Sequence, residues 1–198
     1  MATEILDEAF FARDTLSVAR DLIGCEVRVD QPEGLLTGRI VETEAYGGQD
    51  DPASHAGRGR TPRSAVMFGP PAVVYVYFIY GVHHCLNFVT EPEGRAGAVL
   101  LRAVEPLQGR REMARRRGLD PETCSDRDLT RGPGRLCAAL GLDRGWTGAP
   151  LTGPQSRIRV CGRKGKLGSI ISGPRVGITR AQDKPWRFCL AGSRCLTV

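Results

Sequence analysis

The sequence predicts an α/β (α+β) fold: a curved, mainly antiparallel β-sheet surrounded by helices, with one protruding β-hairpin. Three observations predict it. Several runs alternate β-branched or aromatic residues with polar ones, as half-buried strands do. Two of these runs meet at a Tyr80-Gly81 turn, which reads as a hairpin. Short helical segments with cap and stop residues lie on either side of the strands. A length of 198 residues suits one domain, so 1–198 is read as a single unit.

The elements follow in order. Asp14 is an N-cap for a helix carrying Leu16, Val18, Ala19, Leu22 and Ile23, stopped by Gly24. Residues 25–29 and 36–45 (LTGRIVETEA) read as strands. Residues 46–71 form a long loop rich in Gly, Pro, Asp and Arg, and structureless connections of that length inside a domain are usually functional. Residues 73–80 (VVYVYFIY) make the clearest strand, and 83–90 return from it. Residues 98–105 (AVLLRAVE) are a further strand, and 106–117 a helix ending at Gly118. Residues 120–130 are polar helix or loop, and 133–140 a short helix with Pro at its first turn. Short strands at 158–161, 176–179 and 186–190 complete the chain.

Hydrophobic residues make up 41% and charged residues 25%, a balance that builds an ordinary globular core. No run approaches the roughly 18 apolar residues of a membrane-spanning helix. The segment MATEILDEAF carries acids and no basic n-region, so the expectation is no secretory signal and a cytoplasmic location, nucleoid-associated in a prokaryote. The seven cysteines form no CxxC pair, and the three histidines lack ligand spacing, so reduced structural thiols and no metal are expected. The net charge of +6 fits a polyanionic partner without requiring one. The arginines cluster as Arg58, Arg60 and Arg63, and as Arg110, Arg111, Arg115, Arg116 and Arg117. Their planar forks suit phosphate. The second group reads equally as a solvated helix face.

Some residues could carry chemistry. Glu42 and Glu44 in VETEAY are two apart, so on a strand they share a face. Paired carboxylates on an apolar strand repel one another, and one could have the raised pKa of a general base. Spacing alone favours a solvated strand surface. Tyr75 and Tyr77 share a face and most simply belong to the core, while Tyr80 falls at the hairpin tip, where a rigid aromatic could wedge between stacked bases. Arg102 shares a face with Leu100 and Val104 by alternation and needs a carboxylate partner if buried, either glutamate serving. Asn87 is a polar residue in an apolar strand, satisfied by backbone or set in a pocket wall.

The segment RIVETEAYGGQDDPASHAGRGRTPRSAVMFGPPAVVYVYFIYGVHHCLNFV, followed by AGAVLLRAVEPLQG, resembles the alkyladenine (3-methyladenine) DNA glycosylase family. Weaker likeness continues through LTRGPGRLCAALGL, PRVGI and KPWRFCLAGS, so the resemblance covers essentially the whole chain. It implies a monofunctional glycosylase of base excision repair, without lyase activity, metal or cofactor. Its partner would be double-stranded DNA containing a damaged purine: 3-methyladenine, 7-methylguanine, hypoxanthine or ethenoadenine. No membrane or obligatory protein partner is implied, and a monomer is expected. By resemblance, Glu44 is the general base, Arg102 helps hold the nucleophilic water, and the Val176 carbonyl completes that water site. Tyr46, His55 and Tyr77 form the pocket around the flipped base, with a main-chain donor at His55. Tyr80 fills the space the base vacates, and Asn87 disfavours guanine. The HAGRGRTPR loop and the FVTEPEGRAGA segment depart from relatives in length or arrangement. The alternative is a non-catalytic damaged-DNA-binding module of the same fold.

Overall fold

The computed structural model describes residues 4–197. The first three residues of the MATEILDEAF segment, to which the targeting expectation partly applies, lie outside the described residues.

Two short helices open the described chain, α1 (Glu8–Phe11) and α2 (Thr15–Asp21). The second begins where Asp14 predicts, its carboxylate accepting the Ser17 N–H. Strands β1 (Glu26–Gln31) and β2 (Gly34–Tyr46) form an antiparallel pair. The hairpin strands are β3 (Val74–Ile79) and β4 (His83–Val89), followed by β5 (Ala98–Gln108). Helices α3 (Arg110–Arg117), α4 (Asp126–Thr130) and α5 (Pro133–Leu140) precede the short strands β6 (Ile158–Cys161), β7 (Ile170–Gly173) and β8 (Arg187–Leu190). The sheet runs β3-β4-β5-β2-β1-β6, and β8 joins it through β2, carrying β7. Every strand pair is antiparallel.

The long strand β2 organises the molecule. Along one edge it pairs with β5. Its early part, Gly34 to Arg39, pairs with β1, and its later part, Glu42 to Glu44, with β8. Between these parts the register with β5 slips twice. Ile40 opposes Val104 and Glu42 opposes Ala103, leaving Val41 unmatched; Thr43 then opposes Leu101, leaving Arg102 unmatched. Such bulges re-aim side chains and break simple alternation. Leu100 and Arg102 line the cleft described below, whereas Val104 lies in the main core with Leu101 and Ala103. The expected shared face of Arg102 and Val104 is therefore corrected, because the bulge at Arg102 intervenes.

Further corrections follow the backbone. The helix expected over 106–117 starts at Arg110. Pro106 continues β5 opposite Gly38, and Gly109, at φ +82°, turns the chain into α3. In 120–130 only Asp126–Thr130 is helical, begun by a Ser125–Asp128 capping box. Residues 176–179 are not a strand: Gly177 sits at φ +76°, and the Val176 N–H is spent on a side chain instead of a ladder. Strand β7 gave no clear sequence signal. The 46–71 loop carries two single-turn 3₁₀ helices, His55–Arg58 and Ala65–Phe68, and Ala56 and Met67 pack with Tyr75 and Ala98 in a second small core.

Candidate active site

Strands β2 and β5 bring two glutamates and an arginine together below a cleft of about 1020 Å³. Glu42 and Glu44 share a face, as their spacing predicts, but neither is solvated: both are fully buried. Their surroundings differ. Glu42 accepts from Arg102 Nε at 3.1 Å, Arg187 at 3.3 Å and the Thr197 N–H at 2.6 Å, and also from the Thr197 hydroxyl. Glu44 accepts the Val176 N–H at 2.7 Å and the Tyr46 hydroxyl at 2.8 Å, with Arg102 Nη1 at 3.4 Å. Burial pushes the Glu44 pKa above the ordinary carboxylate value, and Glu42 adds to the rise, against the lowering pull of Arg102, Val176 and Tyr46. Burial opposes the charge on Arg102, but the two glutamates hold it firmly protonated. Glu44 lies behind the cleft, whose lining includes its three partners Tyr46, Arg102 and Val176.

Aromatic side chains make the walls. Tyr46, His55, Tyr75 and Tyr77 line the cleft. The His55 and Tyr77 rings meet edge to face at 4.6 Å, and His55 Nδ1 bonds the Tyr75 hydroxyl at 2.9 Å. Burial, and secondarily Arg63, pushes the His55 pKa down to about 4, so the imidazole is neutral at physiological pH. His55 opens its 3₁₀ turn, and Ser54 caps the Ala56 N–H, which leaves the His55 N–H among the donors without an acceptor inside the turn. Asn87 is buried in the wall beside Tyr75. Its amide donates to the Tyr75 and Cys85 carbonyls at 3.1 Å each, which fixes its orientation. It thus meets both readings at once, satisfied by backbone and set in a pocket wall.

Tyr80 stands at the tip of the β3–β4 hairpin, 80% exposed at φ +55°, followed by Gly81 at φ +70°. Positive φ at both central residues, with the Val82 N–H donating to the Ile79 carbonyl at 3.3 Å, is the turn geometry that tight hairpins favour. All the named positions Tyr46, His55, Tyr77, Tyr80, Asn87, Arg102 and Val176 border one cleft, with Glu44 behind it.

The arginines separate in a way that clustering in sequence did not reveal. Arg110, Arg111, Arg115 and Arg116 pair with Asp126, Glu122, Glu112 and Glu33. Arg58, Arg117, Arg131, Arg135 and Arg180 line the cleft, and among the described residues none of them enters an ion pair. Arg117 Nε is buried without a hydrogen-bond partner, and burial together with Arg135 lowers its pKa.

Sequence reading missed the clamp behind the cleft. Arg175 is wholly buried and forks onto Asp51 at 2.6 and 2.8 Å while donating to the Ala45 carbonyl. Its guanidinium lies 4.7 Å from the Tyr46 ring centre and 4.9 Å from that of Trp186. Burial would raise the Asp51 pKa, but Arg175 and the N–H groups of Gly47 and Ala53 hold it below the ordinary value. The clamp ties the loop after Tyr46 to the segment carrying Val176. The Asp in GGQDDP and the Arg in PRVGI carried no pairing signal in sequence.

The described residues hold no cluster of three or more His, Cys, Asp or Glu able to bind a metal, and no helix long and apolar enough to cross a membrane. The seven cysteines are free.

Among the described residues an eight-stranded antiparallel sheet holds a buried carboxylate behind an aromatic cleft, and comparison with known proteins gives the family. The family model described as "Methylpurine-DNA glycosylase (MPG)" matches residues 9–194. A protein of Nitrobacter winogradskyi is 47% identical over 192 residues, 97% of this chain and 86% of the relative. One from Agrobacterium fabrum is 49% identical, covering 94% of this chain and 89% of the relative. One from Streptomyces avermitilis is 47% identical, covering 92% and 86%. Each bears the name "Putative 3-methyladenine DNA glycosylase". The chain belongs to the methylpurine-DNA glycosylase family.

Proposed function

We propose that this chain is a monofunctional glycosylase of base excision repair that turns alkylated or deaminated purines out of duplex DNA into the cleft. Water activated by Glu44 then hydrolyses the N-glycosidic bond. The observation that carries the reading is the buried Glu44 carboxylate, held by Tyr46, Val176 and Arg102 directly behind an aromatic-walled cleft.

The chemistry follows from this setting. As the C1′–N bond lengthens, the base leaves with the bonding pair and the sugar becomes oxocarbenium-like. The Glu44 carboxylate stabilises that charge and takes a proton from the water whose oxygen bonds to C1′. Arg102 and the Val176 carbonyl orient the water. Alkylation at N3 or N7 makes the base cationic, so it departs neutral, while Tyr46, His55 and Tyr77 favour the cation by about 0.5–2 kcal/mol. Neutral hypoxanthine needs a proton as it leaves. The neutral His55 presents its main-chain N–H to the base, and Asn87 disfavours guanine. Tyr80 occupies the gap in the stack, and flipping costs least for weakly paired lesions. No lysine lines the cleft among the described residues, which supports hydrolysis rather than Schiff-base lyase chemistry. Phosphate contacts fall to the unpaired arginines Arg58, Arg117 and Arg135, and the paired α3 cluster serves the fold. The enzyme works as a monomer on damaged duplex DNA in the cytoplasm.

Duplexes carrying hypoxanthine, 3-methyladenine, 7-methylguanine or ethenoadenine test the reading. The expected result is free base released in the presence of chelator, with the abasic strand left uncut. Tight binding without release from any duplex would make the chain a damaged-DNA-binding module instead.

A further inference from the structure

The proposed mechanism uses Glu44 and leaves unexplained a second, equally buried carboxylate on the same face. Burying two carboxylates side by side is costly unless each is compensated. Glu42 is compensated from three directions: Arg102 on β5, Arg187 on β8, and both the N–H and the hydroxyl of Thr197. Thr197 is itself held, because Arg187 donates to its carbonyl at 3.3 Å and Arg102 Nε approaches its hydroxyl at 3.2 Å. Arg102 is therefore gripped through Nε by Glu42 and Thr197, while its Nη1 is directed at Glu44. The strand bulge that leaves Arg102 unmatched gives it no backbone register of its own to fix its aim.

We infer that Glu42, locked by Thr197 and Arg187, is a positioning residue that sets the reach of Arg102 toward Glu44 and its water. This rests on the proposed glycosylase chemistry. A guanidinium shared between two carboxylates divides its charge between them. Strengthening its hold on Glu42 leaves Glu44 more basic, and removing Glu42 gives Arg102 wholly to Glu44. The titratable and charged groups acting on Glu44 are Arg102, Tyr46 and Glu42, with the Cys85 and Cys189 thiols nearby.

The test is single-turnover release of 7-methylguanine against pH, with duplex binding measured in parallel. Glu42→Gln should slow release roughly 10- to 100-fold, the scale of a small misplacement of a reacting group. It should also move the acid limb of the profile to lower pH, because a like charge is lost and Arg102 turns to Glu44; binding should stay within about twofold. Thr197→Val, which keeps the shape and loses the hydroxyl, should slow release several-fold, and Thr197→Ser should restore it. A purely structural role for Glu42 would lower stability and shift the acid limb through the lost charge alone, leaving plateau release at the wild-type rate. A folded Glu42→Gln protein with wild-type plateau release would overturn the inference. Should that variant not fold, the threonine pair decides, and wild-type release by Thr197→Val overturns it. An inactive wild-type protein would defeat the glycosylase reading itself, a separate outcome.

Discussion

The floor and the rim of the cleft are built on opposite principles. On the floor, polar groups are buried and partnered: Glu42 by four donors, Glu44 by two donors and the Arg102 ion pair, Asp51 by a forked arginine. At the rim, Arg58, Arg135 and Arg180 stand exposed without ionic partners among the described residues, beside the exposed Tyr80. A floor that must hold a reacting geometry does so with interlocking bonds in a low dielectric. A rim that meets a long polyanion keeps its charges unspent until the partner arrives. The two regions should therefore fail differently when altered.

The largest stability effect belongs to the floor. Arg175→Met leaves Asp51 buried without its counter-charge and should cost about 3–5 kcal/mol in chemical denaturation. Substitutions at the exposed rim residue Arg135 should stay within about 0.5 kcal/mol. Equal losses in the two places would erase the distinction.

For DNA binding the order reverses. Arg58→Gln with Arg135→Gln should reduce the slope of log affinity against log salt by about 2, one phosphate contact each. Arg111→Gln with Arg115→Gln, in the carboxylate-paired cluster, should leave the slope near that of wild type. Anisotropy titrations on an undamaged duplex measure both. If the α3 pair moved the slope and the cleft pair did not, the assignment of phosphate contacts would be reversed.

Tyr80→Ala should slow excision several-fold for a lesion that pairs well in the duplex and less for a mispaired one, since unstacking is costlier for the former. Identical rates on the well-paired lesion would remove the wedge role.

The smallest effect is on stability and has the opposite sign to the Arg175 loss. Burial holds Glu44 above its unfolded pKa, so the folded state binds more protons than the unfolded state as pH rises from the ordinary carboxylate value to the raised one. Stability contributed there is lost with increasing pH. Glu44→Gln removes that penalty and should raise the melting temperature at neutral pH by a few degrees, the trade-off expected of an active-site group. A clear fall in melting temperature would place Glu44 among the stabilising members of the floor.

Much of this was legible in the residues. Alternation found β2 to β5, and Tyr80-Gly81 gave the turn, because period-two patterns and glycine turns are local signals. The paired spacing of Glu42 and Glu44 gave their shared face. Spacing could not distinguish them, since what separates the two is which donors arrive from β5, β8 and Thr197, all distant in sequence. The resemblance singled out Glu44, and the structure shows that the two carboxylates differ in their buried donors. The strand bulge at Arg102 also lay beyond pattern reading: it depends on the partner strand, and it moved Val104 to the core. The arginine clusters left phosphate binding and a solvated helix face both open for the same reason. Adjacent arginines in sequence say nothing of Glu33, Glu122 and Asp126, which reach them from outside α3, while Glu112 pairs within the helix.

The most direct test of the account is single-turnover release of 7-methylguanine by wild type and Glu44→Gln on the same duplex, across pH, with binding followed in parallel. A cationic base needs no proton to leave, so one ionisation should govern the rate. Wild type should lose activity as pH falls through a value above the ordinary carboxylate range, because Glu44 must be ionised to take the water's proton. Glu44→Gln should release base at least about 10³-fold more slowly at every pH while binding with near wild-type affinity. Release by Glu44→Gln at the wild-type rate would contradict the account.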